Sequence, residues 1–227
     1  MITVISPAKK LSNECYAYEA EHSQPSYLNR STELVNQLKS YEPSHLQSLM
    51  GISEKLSVLN WERFQSWEPS FNSDNSRQAF FTFRGDTYSG LDADTLSSQD
   101  LSFSQNHTRI LSGLYGVLKP LDLIMPYRLE MGTKIENKSG KNLYEFWGDM
   151  LASDIEKDLA DHDSKYLVNC ASVEYFKSID KDTLKGKVVT PVFKEVKNGK
   201  ARIVSFFAKK ARGMMARYII PVSYTHL

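Results

Sequence analysis

Polar side chains that could act in catalysis follow predicted strands at several separate points of the chain. Loops that leave strands commonly carry functional groups, because a rigid element fixes their position. The candidates share a charge or a phenol group and are Lys9, Asp86, Tyr88, Arg128, Glu130, Glu174 and Lys177. If they converge on one pocket, carboxylates beside cations can perform general acid–base or lyase chemistry.

Each candidate also has a plainer interpretation. Asp86 lies in the turn-forming sequence 84–86 together with Arg84, and an aspartate in a turn more often caps the backbone. Arg128 and Glu130 are two residues apart, so in an extended segment they share one face and either flank a pocket or form a surface ion pair. Lys9 either holds a phosphate group or is simply solvated. The sequence leaves these alternatives open.

The positive charge of the chain is concentrated in residues 177–217. This segment has 12 Lys and Arg against 3 Asp and Glu, whereas the whole chain has 28 against 27. Charge segregated in this way on ordered structure indicates a phosphate-bearing partner. The candidate contacts in the segment are Lys177, Lys209, Lys210, Arg212 and Arg217.

Aromatic residues stand among these cations. Phe206, Phe207 and Tyr218 could stack on exposed bases, or they could form a core behind a basic surface, which is the favoured interpretation. The segment divides into a predicted hairpin around Asn198 and a predicted helix from Lys209. The helix is the better candidate for binding, since the hairpin lysines are readily explained as solvated.

Residues 46–59 resemble a helix-hairpin-helix element. Gly51 lies in the predicted break, and Ser53 stands where such an element usually has a second glycine. A hairpin of this type presents backbone N–H groups and a helix N-terminus to a DNA phosphate, and Lys55 would add a cation. An ordinary pair of packed helices explains the same pattern.

Metal and cofactor chemistry find little support. The five histidines lack ligand spacing, which argues against zinc, and the chain has no Walker, Rossmann or G-x-S-x-G motif. Cys15 and Cys170 are far apart in sequence and suit a reduced cytoplasm better than a disulfide scaffold. Cys170 is more readily explained as a small buried hydrophobe than as a nucleophile. We therefore expect no metal and no cofactor.

The elements that must position the candidates predict one α+β domain with a central mixed sheet and surrounding helices. Strands are predicted at 2–5, 78–83 and 166–170, with the clearest amphipathic helix at 143–160. A further helix is predicted at 31–41, with Ser31 as its N-cap. At 227 residues and 41% hydrophobic composition the chain can bury a large core. No apolar run is long enough for a membrane span, so we expect a cytoplasmic protein with no membrane partner.

Six segments, in this order, resemble the family of the peroxide stress resistance protein YaaA. Together they span most of residues 1–220, and their combined specificity is high. The motifs are ISPAKKL (5–11), FRGDTYSGL (83–91), RILSGLYGVLKPLDLIMPYRLEMG (109–132), LYEFWGD (143–149), ASVEYFKS (171–178) and FFAKKARGMMARYII (206–220).

The resemblance implies an α+β fold with a positively charged cleft and a helix-hairpin-helix element. It implies a cytosolic protein of the hydrogen peroxide response that limits unincorporated iron and oxidative DNA damage, and that binds duplex and branched DNA. It supplies no catalytic assignment. The basic positions that fall within matching motifs are Lys9, Arg84, Arg128, Lys177, Lys209, Lys210, Arg212 and Arg217.

The last residues depart from the family pattern. The family continues beyond the position of Ile220, whereas this chain has PVSYTHL at 221–227. We therefore expect residues 1–220 to form one domain with its C-terminal part missing, and residues 221–227 to be a non-native read-through tail.

Three hypotheses of function follow. The leading one is a DNA-binding peroxide-stress protein with little sequence selectivity, because nothing in the chain resembles a major-groove recognition helix. The alternative is a nucleic-acid-processing enzyme that acts on a damaged or flipped base in a polar pocket. Direct iron binding has the weakest support, since no clustered ligands are visible. The expected partner is duplex or branched DNA, and protein partners are unknown.

Overall fold

The first strand, ITVI, is wholly buried and forms the centre of the fold. The computed structural model describes residues 1–12 and 21–223, so Cys15 and residues 224–227 of the expected read-through tail lie outside the described residues. The strands are β1 Ile2–Ile5, β2 Lys10–Leu11, β3 Arg77–Gln78, β4 Phe83–Arg84, β5 Thr108–Ser112, β6 Gly116–Leu118, β7 Leu123–Ile124, β8 Tyr166–Cys170, β9 Lys187–Val189, β10 Glu195–Lys197 and β11 Lys200–Arg202.

Helices surround the strands, together with a short 3₁₀ helix at Ala93–Thr95. They are α1 Leu28–Lys39, α2 Pro43–Met50, α3 Glu54–Ser66, α4 Ala79–Thr82, α5 Asp86–Leu91, α6 Ser98–His107, α7 Leu143–Trp147, α8 Met150–Ala160, α9 Val173–Phe176 and α10 Ser205–Ser223.

Five strands form a central mixed sheet in the order β6-β5-β1-β8-β9. β1 is parallel to β5 and to β8, with Ile5 opposite both Ile110 and Cys170, and only β6 runs antiparallel to its neighbour. Helices α6, α8 and α10 contact β1, which explains why the strand is buried throughout. The predicted α+β domain with a central mixed sheet and surrounding helices is confirmed.

The predicted strand at 78–83 is wrong. Residues 77–78 and 83–84 form two-residue strands, and the helix α4 lies between them. All four α4 side chains are buried, so this stretch has no polar face from which a period could be read. A short, fully buried helix and a buried strand have the same apolar sequence pattern.

The predicted helix at 143–160 is also two helices. α7 ends at Trp147, where Gly148 has a φ of 51°, and α8 begins at Met150. Positive φ favours glycine, so the break is encoded at that residue. Ser31 is not an N-cap either: α1 begins at Leu28, and the Ser31 hydroxyl donates to the carbonyl oxygens of Tyr27 and Leu114.

The hairpin prediction is confirmed. β10 and β11 pair antiparallel around Asn198 and Gly199, whose φ values are 53° and 71°. Positive φ at both turn residues matches the right-handed twist of a hairpin. Every residue of the two strands is exposed.

Candidate functional site

The carboxyl ends of β1 and β8 lie side by side and open into a cavity of about 410 Å³. In open sheets with parallel strands, ligands bind in the crevice beyond these ends. The loops that follow the two strands are joined, since the Ser172 backbone N–H donates to Ser6 Oγ at 2.8 Å. Functional side chains on either loop therefore keep a fixed relation to each other.

Most of the predicted site residues line this cavity. Asp86, Glu130 and Glu174 are its carboxylates. Its cations are Lys9, Lys10, Arg84, Arg128, Lys209 and Arg212. The convergence that the sequence hypothesis required is therefore present for all of the predicted charged residues except Lys177, Lys210, Arg217 and Lys55.

Glu130 forms two ion pairs at the cavity. Its Oε2 lies 2.5 Å from Lys9 Nζ, and its Oε1 accepts from Arg128 Nη2 at 3.0 Å. The Lys9 side chain is 63% exposed, whereas Arg128 and Glu130 are 16% and 23% exposed. Arg128 thus fixes the carboxylate, while the Lys9 amine stays accessible from the cavity.

A close backbone contact positions the segment that holds this ion-paired group. A Cβ atom at Gly113 would overlap the carbonyl oxygen of Leu129, so glycine is required where the turn after β5 meets residues 128–130. Arg128 and Glu130 point to the same side, as expected of residues two apart in an extended segment. Both interpretations of Arg128 and Glu130 therefore apply: the two residues form an ion pair, and they also flank a pocket.

Arg84 and Asp86 reach the cavity from β4 and the start of α5. Gly85, with a φ of 128°, turns the chain between them, and Asp86 occupies the first helical position. A carboxylate there is favoured by the positive end of the helix dipole. Arg84 forms an ion pair with Asp94 at 3.3 Å. Asp86 is thus the first residue of the helix and not the residue that caps it, and it lines the cavity.

Helix α10 brings Lys209 and Arg212 to the cavity, because its backbone packs directly against the backbone of α5. A Cβ atom at Gly90 would overlap the carbonyl oxygen of Lys210, and one at Gly213 would overlap that of Thr87. Neither glycine was singled out in the sequence. The available signal was that a glycine inside a helical pattern costs stability, which calls for a packing reason.

The other predicted cations lie elsewhere. Lys177 Nζ sits over the Tyr144 ring, 4.8 Å from its centroid, and Lys210 is exposed. Arg217 donates to the carbonyl oxygens of Leu91 and Asp92 at 2.9 and 2.5 Å. Its guanidinium therefore holds α10 against the carboxyl end of α5.

The predicted hairpin at Gly51 consists of two helices joined by a tight turn. Gly51 ends α2 with a φ of 60°, and Ser53 caps α3 by accepting from the Leu56 N–H at 3.4 Å. Lys55 is exposed on the first turn of α3. None of these residues lines the cavity, so a role in DNA binding remains a prediction that the fold neither requires nor contradicts.

Three groups near the cavity are neutral. Tyr88 donates to the Ser6 carbonyl oxygen at 3.2 Å, and burial raises its pKa well above 10.0. Tyr175 lines the cavity, and burial likewise raises its pKa well above 10.0. Burial raises the pKa of the Cys170 thiol to about 12, although Arg212 opposes the shift. A thiol that stays protonated is a poor nucleophile, which agrees with the structural interpretation of Cys170.

Within 1–12 and 21–223, no three His, Cys, Asp or Glu side chains are grouped closely enough to share a metal ion. No helix in the described part of the chain is both long and apolar enough to cross a membrane.

The sequence is similar to known proteins over almost its whole length. It matches the family described as peroxide stress protein YaaA over residues 1–227. A UPF0246 protein of Shewanella sp. (strain W3-18-1) is 53% identical over 220 residues, which are 97% of this chain and 86% of the relative. Another UPF0246 protein, from Pseudoalteromonas translucida (strain TAC 125), is 52% identical over 227 residues, which are 100% of this chain and 88% of the relative. On this similarity and the family match, the chain belongs to the peroxide stress protein YaaA family.

Proposed function

We propose that this protein binds duplex or branched DNA during peroxide stress, through phosphate contacts at the cavity between β1, β8, α5 and α10. The observation that supports the proposal most is the charge of the cavity, where six Lys and Arg face three carboxylates. Phosphate contacts dominate nucleic-acid affinity and carry no sequence information. Binding is therefore largely independent of sequence.

The cations differ in how they are held. Arg84 and Arg128 are fixed by ion pairs with Asp94 and Glu130, whereas Lys209 is exposed on α10. Preorganised guanidinium groups lose little side-chain entropy when they bind phosphate. In our proposal Gly51, Ser53 and Lys55 contribute a second phosphate contact. A role in limiting free iron and oxidative DNA damage is part of the same proposal; family membership supports its link to peroxide stress.

The test is the salt dependence of DNA affinity. We expect log Kd to rise linearly with log salt, because each neutralised phosphate releases counterions. Changing Lys209→Glu together with Arg212→Glu weakens binding to all duplexes alike and lowers the salt slope by about 2, roughly one for each lost contact. Fluorescence anisotropy with labelled duplexes measures both quantities.

The control carries the same charge change elsewhere. Lys197→Glu with Lys200→Glu reverses two exposed charges of the β10–β11 hairpin, and we expect the slope to be kept. Affinity that does not change between low and high salt would contradict the proposal. Equal weakening by both double variants would contradict the placement of the DNA at the cavity.

A second function is favoured by one observation, the presence of three carboxylates in the same cavity. DNA binding alone does not need half-buried carboxylates, whereas enzymatic attack on a damaged or flipped base does. A volume of about 410 Å³ is in the range of small-molecule sites. The test is release of free base from duplexes that contain one oxidised or deaminated base, with Asp86→Asn as the inactive variant. Absence of release from every such duplex would rule this function out.

A further inference from the structure

Lys9 differs from the other lysines of the cavity in that its ammonium is paired with a carboxylate. Its ammonium contacts Glu130, and no other lysine within residues 1–12 and 21–223 has its ammonium in an ion pair with a carboxylate. The other oxygen of Glu130 is held by Arg128, so the carboxylate cannot turn away from Lys9. A primary amine, a fixed proton acceptor and an open cavity therefore meet at one point.

We propose that Lys9 forms an imine with the aldehyde of a ring-opened abasic deoxyribose in DNA, and that Glu130 transfers the protons that lead to strand cleavage. The proposal rests on the proposed DNA binding, and it adds a reaction and a substrate class to the same site. Lysine amines form imines with carbonyl substrates when the amine is positioned and deprotonated. A guanidinium is not nucleophilic in this way, so the arginines of the cavity cannot replace Lys9.

The first half of the reaction joins protein and DNA. Glu130 takes a proton from the Lys9 ammonium across the 2.5 Å contact, which is short enough for general acid–base transfer. The free amine attacks C1′ of the aldehyde and gives a carbinolamine. Glu130 returns the proton to the carbinolamine oxygen, water leaves, and a protonated imine remains beside the carboxylate.

The second half breaks the strand. The Glu130 carboxylate removes a proton from C2′, the C3′–O bond breaks, and its electron pair leaves with the 3′ phosphate. Water then adds to the conjugated imine, which releases an unsaturated aldehyde and restores the Lys9 ammonium. Glu130 gives its proton to solvent. All atoms and electrons balance without an oxidant or a reductant.

The surroundings of Lys9 fit an abasic sugar in a DNA strand. The aldehyde of such a sugar is flanked by a phosphate on either side, and the cations around Lys9 supply contacts for both: Lys10, Arg84, Lys209 and Arg212. A nucleotide that has lost its base is also the least costly to turn out of the helix, because unstacking and unpairing are already complete. The cavity therefore favours this substrate over a small free aldehyde, which would use none of the outer cations.

Borohydride trapping tests the proposal directly. The probe is a duplex with one abasic site, made by removing a uracil, and the reductant converts the imine into a stable amine. We expect the wild-type protein to give a covalent complex on a denaturing gel, with the adduct on the Lys9 peptide in a mass spectrum. Lys9→Arg keeps the positive charge but removes the primary amine, so we expect the adduct to be lost. The DNA affinity of the same variant is measured separately. Lys200→Arg on the exposed hairpin is the matched control and keeps the adduct.

Glu130→Gln tests the proton transfers in both halves of the reaction. We expect adduct formation and strand cleavage each to slow by about 10²-fold, as is typical when a general acid–base group is removed. Unchanged rates of both steps would overturn the role given to Glu130. Circular dichroism of each variant checks that the fold is kept.

The outcomes distinguish this inference from the DNA-binding proposal. Wild-type protein that binds the abasic duplex but gives no adduct would overturn the inference and leave DNA binding intact. Trapping that is undiminished in Lys9→Arg would also overturn it. A failure to bind any duplex would overturn the DNA-binding proposal and the inference with it.

Discussion

The two ends of the central sheet both collect charged side chains, but they use them differently. At the amino end, Arg109 is 3% exposed and donates to Asp158 at 2.6 Å and to the carbonyl oxygens of Gln105 and Thr108 at 2.9 and 2.8 Å. Nearby, the His107 ring lies 4.3 Å from that of His162. These groups are satisfied within the protein.

At the carboxyl end the charges surround an open cavity instead. Lys9 is 63% exposed and Arg84 is 29% exposed, and each has a single carboxylate partner. Glu130 and Asp94 are themselves part-exposed. Charges that are only partly desolvated and only partly paired remain accessible to a ligand. The buried charges at the amino end therefore stabilise the fold, whereas those at the carboxyl end are open to binding.

The largest expected effect is at the amino end. Arg109→Leu removes the partner of Asp158 and one donor from each of two carbonyl oxygens, so we expect a loss of about 3 kcal/mol in the free energy of unfolding. Asp158 is 24% exposed, which keeps the value at the low end of the usual range. Urea denaturation measures it. A loss well under 1 kcal/mol would show that the amino end does not stabilise the fold as described.

A substitution between the two helices at the carboxyl end should cost slightly less. Gly213→Ala places a methyl group against the Thr87 carbonyl and forces α10 away from α5, at a cost of about 1–3 kcal/mol. Because α10 supplies Lys209 and Arg212, DNA affinity should fall as well. Met214→Ala, at a 56% exposed position of the same helix, is the control that should leave both quantities almost unchanged.

Arg84→Leu gives the direct counterpart of Arg109→Leu at the opposite end. The Arg84–Asp94 pair is part-exposed, so its loss should change the free energy of unfolding by only about 0–1 kcal/mol. DNA affinity should fall, since a proposed phosphate contact is removed. If instead the two arginine variants destabilise the protein equally, the proposed division between the ends is wrong.

The smallest effect concerns pH. Burial is the main cause that lowers the pKa of His107 and of His162 from 6.5, with the N-terminal ammonium and Arg109 acting in the same direction. The folded protein then binds these protons less readily than the unfolded chain. The resulting stability is present above pH 6.5 and is lost as the pH falls through the lowered values.

A histidine variant isolates the contribution of His107 to the pH dependence of stability from the contributions of other groups. Burial raises the pKa of Asp122 to about 6, which contributes with the opposite sign as the pH falls. The quantity to compare is therefore the pH slope of Tm between wild type and His107→Gln, which should be shallower in the variant. His45→Gln, whose ring stacks on Tyr41, serves as the control. Identical slopes in wild type and His107→Gln would contradict the prediction.

The sequence predicted the carboxyl end better than the amino end, for a physical reason. Lys9, Asp86 and Glu130 follow strands or lie in extended segments, and such positions can be read from local pattern. Arg109 lies inside β5 and its partner Asp158 in α8, so only the tertiary fold brings them together.

Other features were hidden because they depend on contact rather than composition. The helix α4 is buried on all sides, so its sequence has no period that distinguishes it from a strand. Gly90 and Gly213 matter only because two helices from distant parts of the chain meet there. The motif segments that resemble the family line the cavity on two sides, since α5 lies within the segment 83–91 and α10 contains the segment 206–220.

The position of β1 has a consequence for folding of the protein. Thr3 pairs with Thr108 on one side and with Val168 on the other, so both neighbours of this strand are distant in sequence. Such distant pairing slows folding, because a long loop must close before the contacts form. An apolar strand without its neighbours is also prone to aggregate. The central strand therefore gains its full set of hydrogen bonds only when β5 and β8 are both in place, which ties the formation of the sheet to late, long-range steps of folding.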